Sequence, residues 1–368
     1  LQVERIRKEL PIVQKRVYLD NAGSGPPTLS MLGELDKYIR DWRDSGEKWD
    51  KWLKEVVRAR ALFAQVIGAS AEEVACVPNA SSGLAAVASS LQSAGDSNVV
   101  LSDLNFPTNV YMWHTLRRRG LIREVRILKN RNGVVPPADY ERAIDERTAV
   151  VSVDFVSWVN GAREQIAALA DVAHRHGAIM MVDAFHAVGA MPVDVEVEAI
   201  DVLTCGSYKW LMAPHGAAFL YVRKNVVQKL NPALIGWHGV ADSVTTRFNS
   251  GRDPFDEVFD LTDALLPPNA MRFEWGTWSV FAVIGCRAAL QFLRETGDKE
   301  RYERILMLTD RLVQGLSKLS RKVISPLQPE RRSGIITFED RKPIATARKL
   351  MAKRIVVAAR PNTIRVSP

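Results

Sequence analysis

Two short stretches carry the groups best suited to chemistry. Asp183 follows the apolar run Ile179-Met180-Met181-Val182. Lys209 follows Asp201-Val202-Leu203-Thr204 by a short turn, within Cys205-Gly206-Ser207-Tyr208-Lys209-Trp210-Leu211. A carboxylate and an amine, each just past an apolar run, suit one cofactor chemistry. Pyridoxal phosphate is held through its aldehyde by a lysine, and an acid keeps its ring nitrogen protonated, so that the ring can draw electrons from an amino-acid Cα. Taken singly, each residue has an ordinary alternative. A lysine at a strand end is commonly a surface residue, and an aspartate there commonly caps the next helix. The joint context singles them out.

The elements that must position these groups alternate along the chain. Val74-Ala75-Cys76-Val77 reads as a strand, followed by a helix from Ser81 to Leu91. Asn98 to Leu101 is a strand before a helix through Tyr111 to Arg119, and Ala149 to Val153 a strand before a helix from Glu164 to His176. Ile179 to Val182, Asp201 to Thr204 and Ala217 to Val222 continue the series. Apolar strands alternating with helices predict an α/β fold with a mostly parallel sheet covered on both faces. In such sheets a ligand sits beyond the carboxyl ends of the strands. Ala80, Phe106, Asp183 and Lys209 all fall there.

Before this series, helical periodicity from Leu29 to Ala69 carries Trp42, Trp49 and Trp52 among charged residues, which we expect to pack on the body or on a second subunit. After it, Pro254, Pro267 and Pro268 mark a loop-rich crossing. A helix from Phe281 to Arg294 and strands at Gly334 to Phe338 and Ile355 to Ala359 suggest a smaller α/β C-terminal domain. The expected division is a large domain over 20–258 and a small one from 1–19 plus 259–368.

Composition narrows the class. A chain of 368 residues, 47% hydrophobic, can bury a large core. The net charge of +8 is dispersed among 42 acidic residues, and the densest basic run, Arg117-Arg118-Arg119, closes a helix. We therefore expect no nucleic-acid partner. Cys76, Cys205 and Cys286 lie far apart with no metal-ligand spacing, which argues against a disulfide framework or a metal site. No apolar run reaches the roughly 18 residues of a membrane span, and the charged opening stretch is no secretory signal. The expected setting is cytoplasmic. Leu1 and Pro368 are not taken as natural ends.

Read together, these segments resemble the class V aminotransferase family of pyridoxal-phosphate enzymes, fold type I, a group that includes cysteine desulfurases, isopenicillin N epimerase-like proteins and kynureninases. The resemblance runs from Val17-Tyr18-Leu19-Asp20-Asn21-Ala22 to Ile364-Arg365-Val366-Ser367-Pro368. Its most specific strings are Asp183-Ala184-Phe185-His186-Ala187-Val188-Gly189, Pro192-Val193-Asp194 and Ser207-Tyr208-Lys209-Trp210-Leu211. It implies that Lys209 is the Schiff-base lysine and that Asp183 partners the pyridine nitrogen. His186 stands where relatives carry Gln or His facing the phenolic oxygen. Ala80 and Ser81 match phosphate-binding positions, and small residues opening a helix do leave backbone N–H groups free for a dianion. Tyr208 and Gly206 match further phosphate-contacting positions, Gly206 without the Ser of desulfurases. Phe106 replaces a stacking His, and Trp158 an Asn. Thr277, in Trp275-Gly276-Thr277, matches a threonine that reaches the phosphate of the neighbouring subunit, which implies a homodimer with a shared active site. Arg365 resembles the clamp for the substrate α-carboxylate, with Arg360 as the alternative.

The family shares external aldimine formation at an amino-acid Cα, and its members differ in the later steps. Persulfide-forming desulfuration needs a thiol near Arg360, and Ala358-Ala359-Arg360-Pro361-Asn362-Thr363 has none. Kynureninase carries Asp at the Asn109 position. The expectation is therefore a class V aminotransferase or isopenicillin N epimerase-like activity on an amino acid. The alternative is a cysteine- or selenocysteine-desulfurase-type or other β-eliminating lyase. A non-catalytic paralogue ranks below both, since Lys209 and Asp183 are present. Substrate identity stays open, with the Trp237-His238-Gly239 loop among its determinants.

Overall fold

Runs of Val, Leu, Met and Ile too apolar to face water on either side become the inner strands of one large sheet. The computed structural model describes residues 2–46, 48–92, 95–255, 258–259 and 261–368. Its first strand, β1 (Val17–Tyr18), stands apart from this sheet. The sheet is built from β2 (Val74–Val77), β3 (Asn98–Ser102), β4 (Glu124–Leu128), β5 (Thr148–Asp154), β6 (Ile179–Asp183), β7 (Val202–Gly206) and β8 (Ala218–Val222), in the order β2-β8-β7-β6-β5-β3-β4. The five strands from β7 to β4 pair in parallel, and β8 runs antiparallel to both its neighbours. The expected α/β class with a mostly parallel sheet is what the chain adopts. β4 is a strand that the apolar-run criterion passes over. Its Glu-Val-Arg-Ile-Leu alternation belongs to a sheet edge, and all five residues are at least partly exposed.

Helices cover both faces, and their starts are written in side chains. Thr28 caps Leu29–Ser45 by accepting from the Met31 N–H, Asn79 forms a capping box with Ser82 at Ala80–Ala88, and Ser279 caps Val280–Thr296. The expected helical stretch before the sheet is a pair, Leu29–Ser45 and Trp49–Val66, with Gly46 at φ 69° ending the first. Trp42 is exposed, whereas Trp49 packs edge-on against Trp237 at 5.7 Å and Trp52 joins the main core.

The C-terminal region forms a second, three-stranded antiparallel sheet, β11-β12-β9, from β9 (Ile336–Glu339), β11 (Ala358–Arg360) and β12 (Thr363–Val366). The single strand expected at Ile355 to Ala359 is divided. β10 (Ile355–Val356) pairs in parallel with β1, while β11 turns to β12. The N-terminal segment is thus tied to the C-terminal one, with a further bridge from Asp20 to Ser367. The helix Val280–Thr296 packs on the helix pair and lies in the main core with Leu203 and Phe219. We therefore propose that the large unit includes it and that the boundary falls later than 258/259.

Candidate active site

Parallel register brings two acids together. β5 ends at Asp154 and β6 at Asp183, and these residues are register partners. One strand further, the chain leaves β7 at Gly206 and reaches Lys209 three residues later. The turn holding Lys209 is braced by the N-terminal loop. The Gly25 N–H donates to the Tyr208 carbonyl at 2.8 Å, and a Cβ on Gly25 would stand 2.0 Å from the Lys209 carbonyl oxygen, so no other residue fits this approach.

Asp154, Asp183, His186 and Lys209 are all buried. They line a cleft of about 680 Å³ including its open mouth, together with Ala80, Ser81, Phe106 and Tyr208. The Lys209 Nζ lies 3.1 Å from His186 Nε2 and 4.0 Å from the centre of the Phe185 ring. Burial lowers the Lys209 amine to about 8 against the pull of Asp183, so about a tenth is free base at pH 7, far more than for an ordinary lysine. Burial, then Lys209, Arg365 and Arg360, hold His186 well below its usual value. The imidazole is neutral, and its Nδ1 is buried without a partner. Asp183 accepts from the Phe185 N–H at 3.0 Å, while burial raises its carboxyl above the usual range.

The other end of the cleft suits an anion. The helix Ala80–Ala88 opens there, and the Asn79–Ser82 capping box uses the Ser82 N–H, leaving the Ala80 and Ser81 N–H groups outside the helical ladder. The Ser81 hydroxyl lies 3.2 Å from that of Thr108, and Tyr208 is stacked on His215 at 4.0 Å. Gly206 has a steric reason to lack a side chain: a Cβ there would stand 2.3 Å from the Phe185 ring.

The arginines come from the other sheet. Arg365 on β12 is buried; its Nη1 donates to the Trp158 carbonyl at 3.4 Å, and its Nη2 lies 3.6 Å from Asp20 Oδ1. That last distance is an ion contact too long for a hydrogen bond, so Nε and Nη2 keep free donors. Burial, then Arg360, bring the guanidinium down to about 10, still charged at neutral pH. Arg360 on β11 is half-buried and donates to the neighbouring Ala359 carbonyl. Arg360 and Arg365 do not line the cleft, and neither does Thr277. It lines a neighbouring cavity that shares Pro78, Gly216 and Ala217 with the cleft.

Among the cleft residues that escape the sequence reading, Asp154 and Phe185 stand close to the amine. The signal for Asp154 was available: it ends an apolar strand, as Asp183 does. Phe185 sits inside the quoted string, but nothing there says that its ring packs against the amine.

The residues present fit pyridoxal phosphate. A buried amine, an enclosed acid across from it, a helix start for a phosphate and the unpartnered His186 Nδ1 meet around one cleft. The aminotransferase class-V family model matches residues 17–359, ending one residue short of Arg360. The uncharacterized aminotransferase YcbU of Bacillus subtilis is 30% identical over 99% of this chain and 92% of its own length. A probable cysteine desulfurase of Methanothermobacter thermautotrophicus is 26% identical over 92% of this chain and 81% of its own. Among solved structures, a cysteine desulfurase from Thermococcus onnurineus superposes with a TM-score of 0.84 at 22% identity, covering 99% of this chain and 92% of that one. The cystine C–S lyase C-DES, in complex with cysteine persulfide, superposes with a TM-score of 0.85 at 19% identity, covering 97% and 94%.

Proposed function

The chain belongs to the aminotransferase class-V family, and from that membership we propose that it acts at the Cα of an amino acid by transamination or epimerisation, with no enzyme persulfide. It is a pyridoxal-phosphate enzyme. When bound, that group supplies an electron sink for charge developing at Cα. Lys209 would hold the aldehyde, and its amine would be the group that moves the Cα proton. Its lowered basicity favours both tasks. Asp183 would keep the ring nitrogen protonated, and neutral His186 would serve the phenolic oxygen. Ala80, Ser81 and Tyr208 would receive the phosphate, and Phe106 would pack against the ring. Arg365 orients the substrate through its free Nε and Nη2 donors on the α-carboxylate, with Arg360 beside it.

The observation that carries the choice of reaction is the turn between β11 and β12. Pro361 and Asn362 alone connect Arg360 to Thr363, which are paired across the hairpin. Such a turn offers no loop from which a thiol could reach the cleft. Cys76, Cys205 and Cys286 are all buried within the body, and burial raises each thiol, Cys286 to about 12, so none is a ready thiolate. β-Elimination from a thiol- or selenol-bearing amino acid requires no enzyme thiol and is the alternative outcome. A panel of amino acids scored for keto acid, racemised product, or released sulfide and ammonia tests the reading. Sulfide release with a protein-bound persulfide would overturn it.

Thr277 we assign to the phosphate of a second copy, which makes the active unit a homodimer. Its place in the cavity next to the cleft supports this reading. Sedimentation of the loaded enzyme tests it, a stable monomer with full activity being the contrary result. No helix among the described residues is long and apolar enough to cross a membrane, and we place the enzyme in the cytoplasm.

A further inference from the structure

Asp154 stands one strand over from Asp183, on the same side of the sheet, because directly paired residues of parallel strands share a face. It is buried, and its carboxylate is held by three N–H donors. Oδ2 accepts from the Phe106 backbone at 2.7 Å; Oδ1 accepts from the Asn109 amide at 2.9 Å and from the Asn105 amide at 3.4 Å. These bonds fix the start of the helix Pro107–Arg118. With it they fix the Phe106 ring, which faces the Lys209 amine at 5.7 Å and meets Trp158 edge-on at 5.6 Å.

The charges close to this residue do not balance. Asp154 and Asp183 bring two negative charges, Lys209 brings one positive charge, and His186 is neutral. Arg365, the next cation, already faces Asp20. Two enclosed carboxylates side by side resist joint ionisation unless a cation compensates them. In keeping with that, burial and Asp183 push the Asp154 carboxyl well up, against the pull of Asn109 and the Phe106 N–H. A cationic heteroaromatic ring beside Asp183 supplies the missing charge.

We propose that Asp154 is a positioning residue for the cofactor: it anchors Phe106 at the cleft and sets a second negative charge behind Asp183, so that the site favours a cationic ring. This rests on the reading that Lys209 and Asp183 hold pyridoxal phosphate. An acid that merely capped a helix would do the first and not the second.

The experiment separates anchoring from charge. Asp154→Asn removes the charge and keeps an acceptor, whereas Asn109→Ala removes one anchor and keeps the charge. Two quantities are read. One is the affinity for pyridoxal phosphate added to cofactor-free protein, followed by visible absorbance. The other is the pH midpoint of the visible band of the loaded protein, where the charge of the ring keeps Asp154 ionised. The groups facing the Lys209 amine are Asp183 and Asp154 from the strand ends, His186 and Cys205 nearby, and Arg365 from the other sheet.

In Asp154→Asn the midpoint falls from its wild-type value by about one unit and the affinity falls about tenfold, the low end of what one neighbouring charge does. In Asn109→Ala the affinity falls less and the midpoint stays. The exchange Asp154→Asn/Asn109→Asp returns a carboxylate to the same contact and restores the midpoint. Asp154→Ser, which keeps an acceptor for the Phe106 N–H, replaces Asp154→Asn should the latter not fold. A wild-type midpoint and affinity in the charge-removing variant overturn the proposal. So does Asn109→Ala reproducing both shifts, since anchoring alone then explains them. Borohydride reduction of the loaded wild-type protein is run first. No label on Lys209 defeats the cofactor assignment itself; a label on Lys209 with an unaffected Asp154→Asn defeats only the role given to Asp154.

Discussion

Asp154, Asp183 and Lys209 lie at or just past the ends of three adjacent strands of one sheet, whereas Arg360 and Arg365 belong to a separate sheet and stand outside the cleft lining, near enough for their charge to act on His186. In the floor of the cleft, register sets the spacing of the two acids, and a short braced turn brings the amine to them. In the arginine wall, position depends on how one sheet docks on another, and the guanidinium of Arg365 keeps donors free. The difference separates two kinds of work. A rigid floor with a negative charge to spare suits a cationic group that stays bound; a wall with free donors suits one that comes and goes.

The sharpest way to break this comparison is at Lys209. Lys209→Ala lowers turnover by at least about a thousandfold, the scale expected when a covalent anchor and proton carrier is removed. Steady-state rates together with a thermal melt check it, and retained turnover in a folded variant removes the floor from the chemistry.

The same residue predicts a stability signature. The folded cofactor-free protein holds the Lys209 amine at about 8, against 10.5 for an ordinary lysine. Below the lower value both states carry the proton and the contribution is constant. Between the two values the unfolded chain binds a proton that the folded one lacks, so stability rises with pH. The rise is at most about 3 kcal/mol. Denaturant melts of cofactor-free protein from pH 7.5 to 10.5 should show it in the wild type and not in Lys209→Met. Parallel curves would mean that the amine is not enclosed.

Asp183→Asn should lower kcat by about a hundredfold, within the range for losing a group that tunes a reacting proton, with KM little changed because the wall is intact. An effect confined to KM would put Asp183 on the substrate side. Smallest is the wall itself. Arg365→Ala raises KM by about tenfold or somewhat more, the worth of a charge-assisted hydrogen bond, and changes kcat less. Arg360→Ala has a weaker effect, and the reverse order moves the clamp to Arg360.

The same division governs what could be read from the chain. Asp183 and Lys209 were legible because parallel strands are apolar on both faces, so the first charged residue past each run marks the ligand edge. The edge strand β4 was not, because such a strand shows a half-polar alternation that resembles an exposed turn. Asp154 carried the same signal as Asp183 and was passed over. A strand-end acid has an ordinary use as a helix cap, and only the register with β6 shows that it stands beside Asp183. The arginines were legible as candidates through their resemblance to the family. Their geometry was not, because it depends on contacts between segments far apart in sequence, and no local period encodes these. The expected strand over Ile355 to Ala359 shows the same limit. Its composition is uniformly β-forming, and only tertiary pairing sends one half to β1 and the other to β12.

The tie between Asn21 and Ser367 has a consequence in time. The Asn21 backbone and side chain both donate to the Ser367 carbonyl, 346 residues away, and the Ala22 N–H donates to its hydroxyl. On the ribosome, the loop that braces Lys209 is made before the large sheet, and its partner after it. The large sheet, from Val74 to Val222, can pair and collapse long before that partner emerges. Synthesis thus delivers the strand-end acids and Lys209 before the arginine-bearing sheet, and the residues around Ser367 act as a latch that closes on the N-terminal loop only after the large sheet has been made.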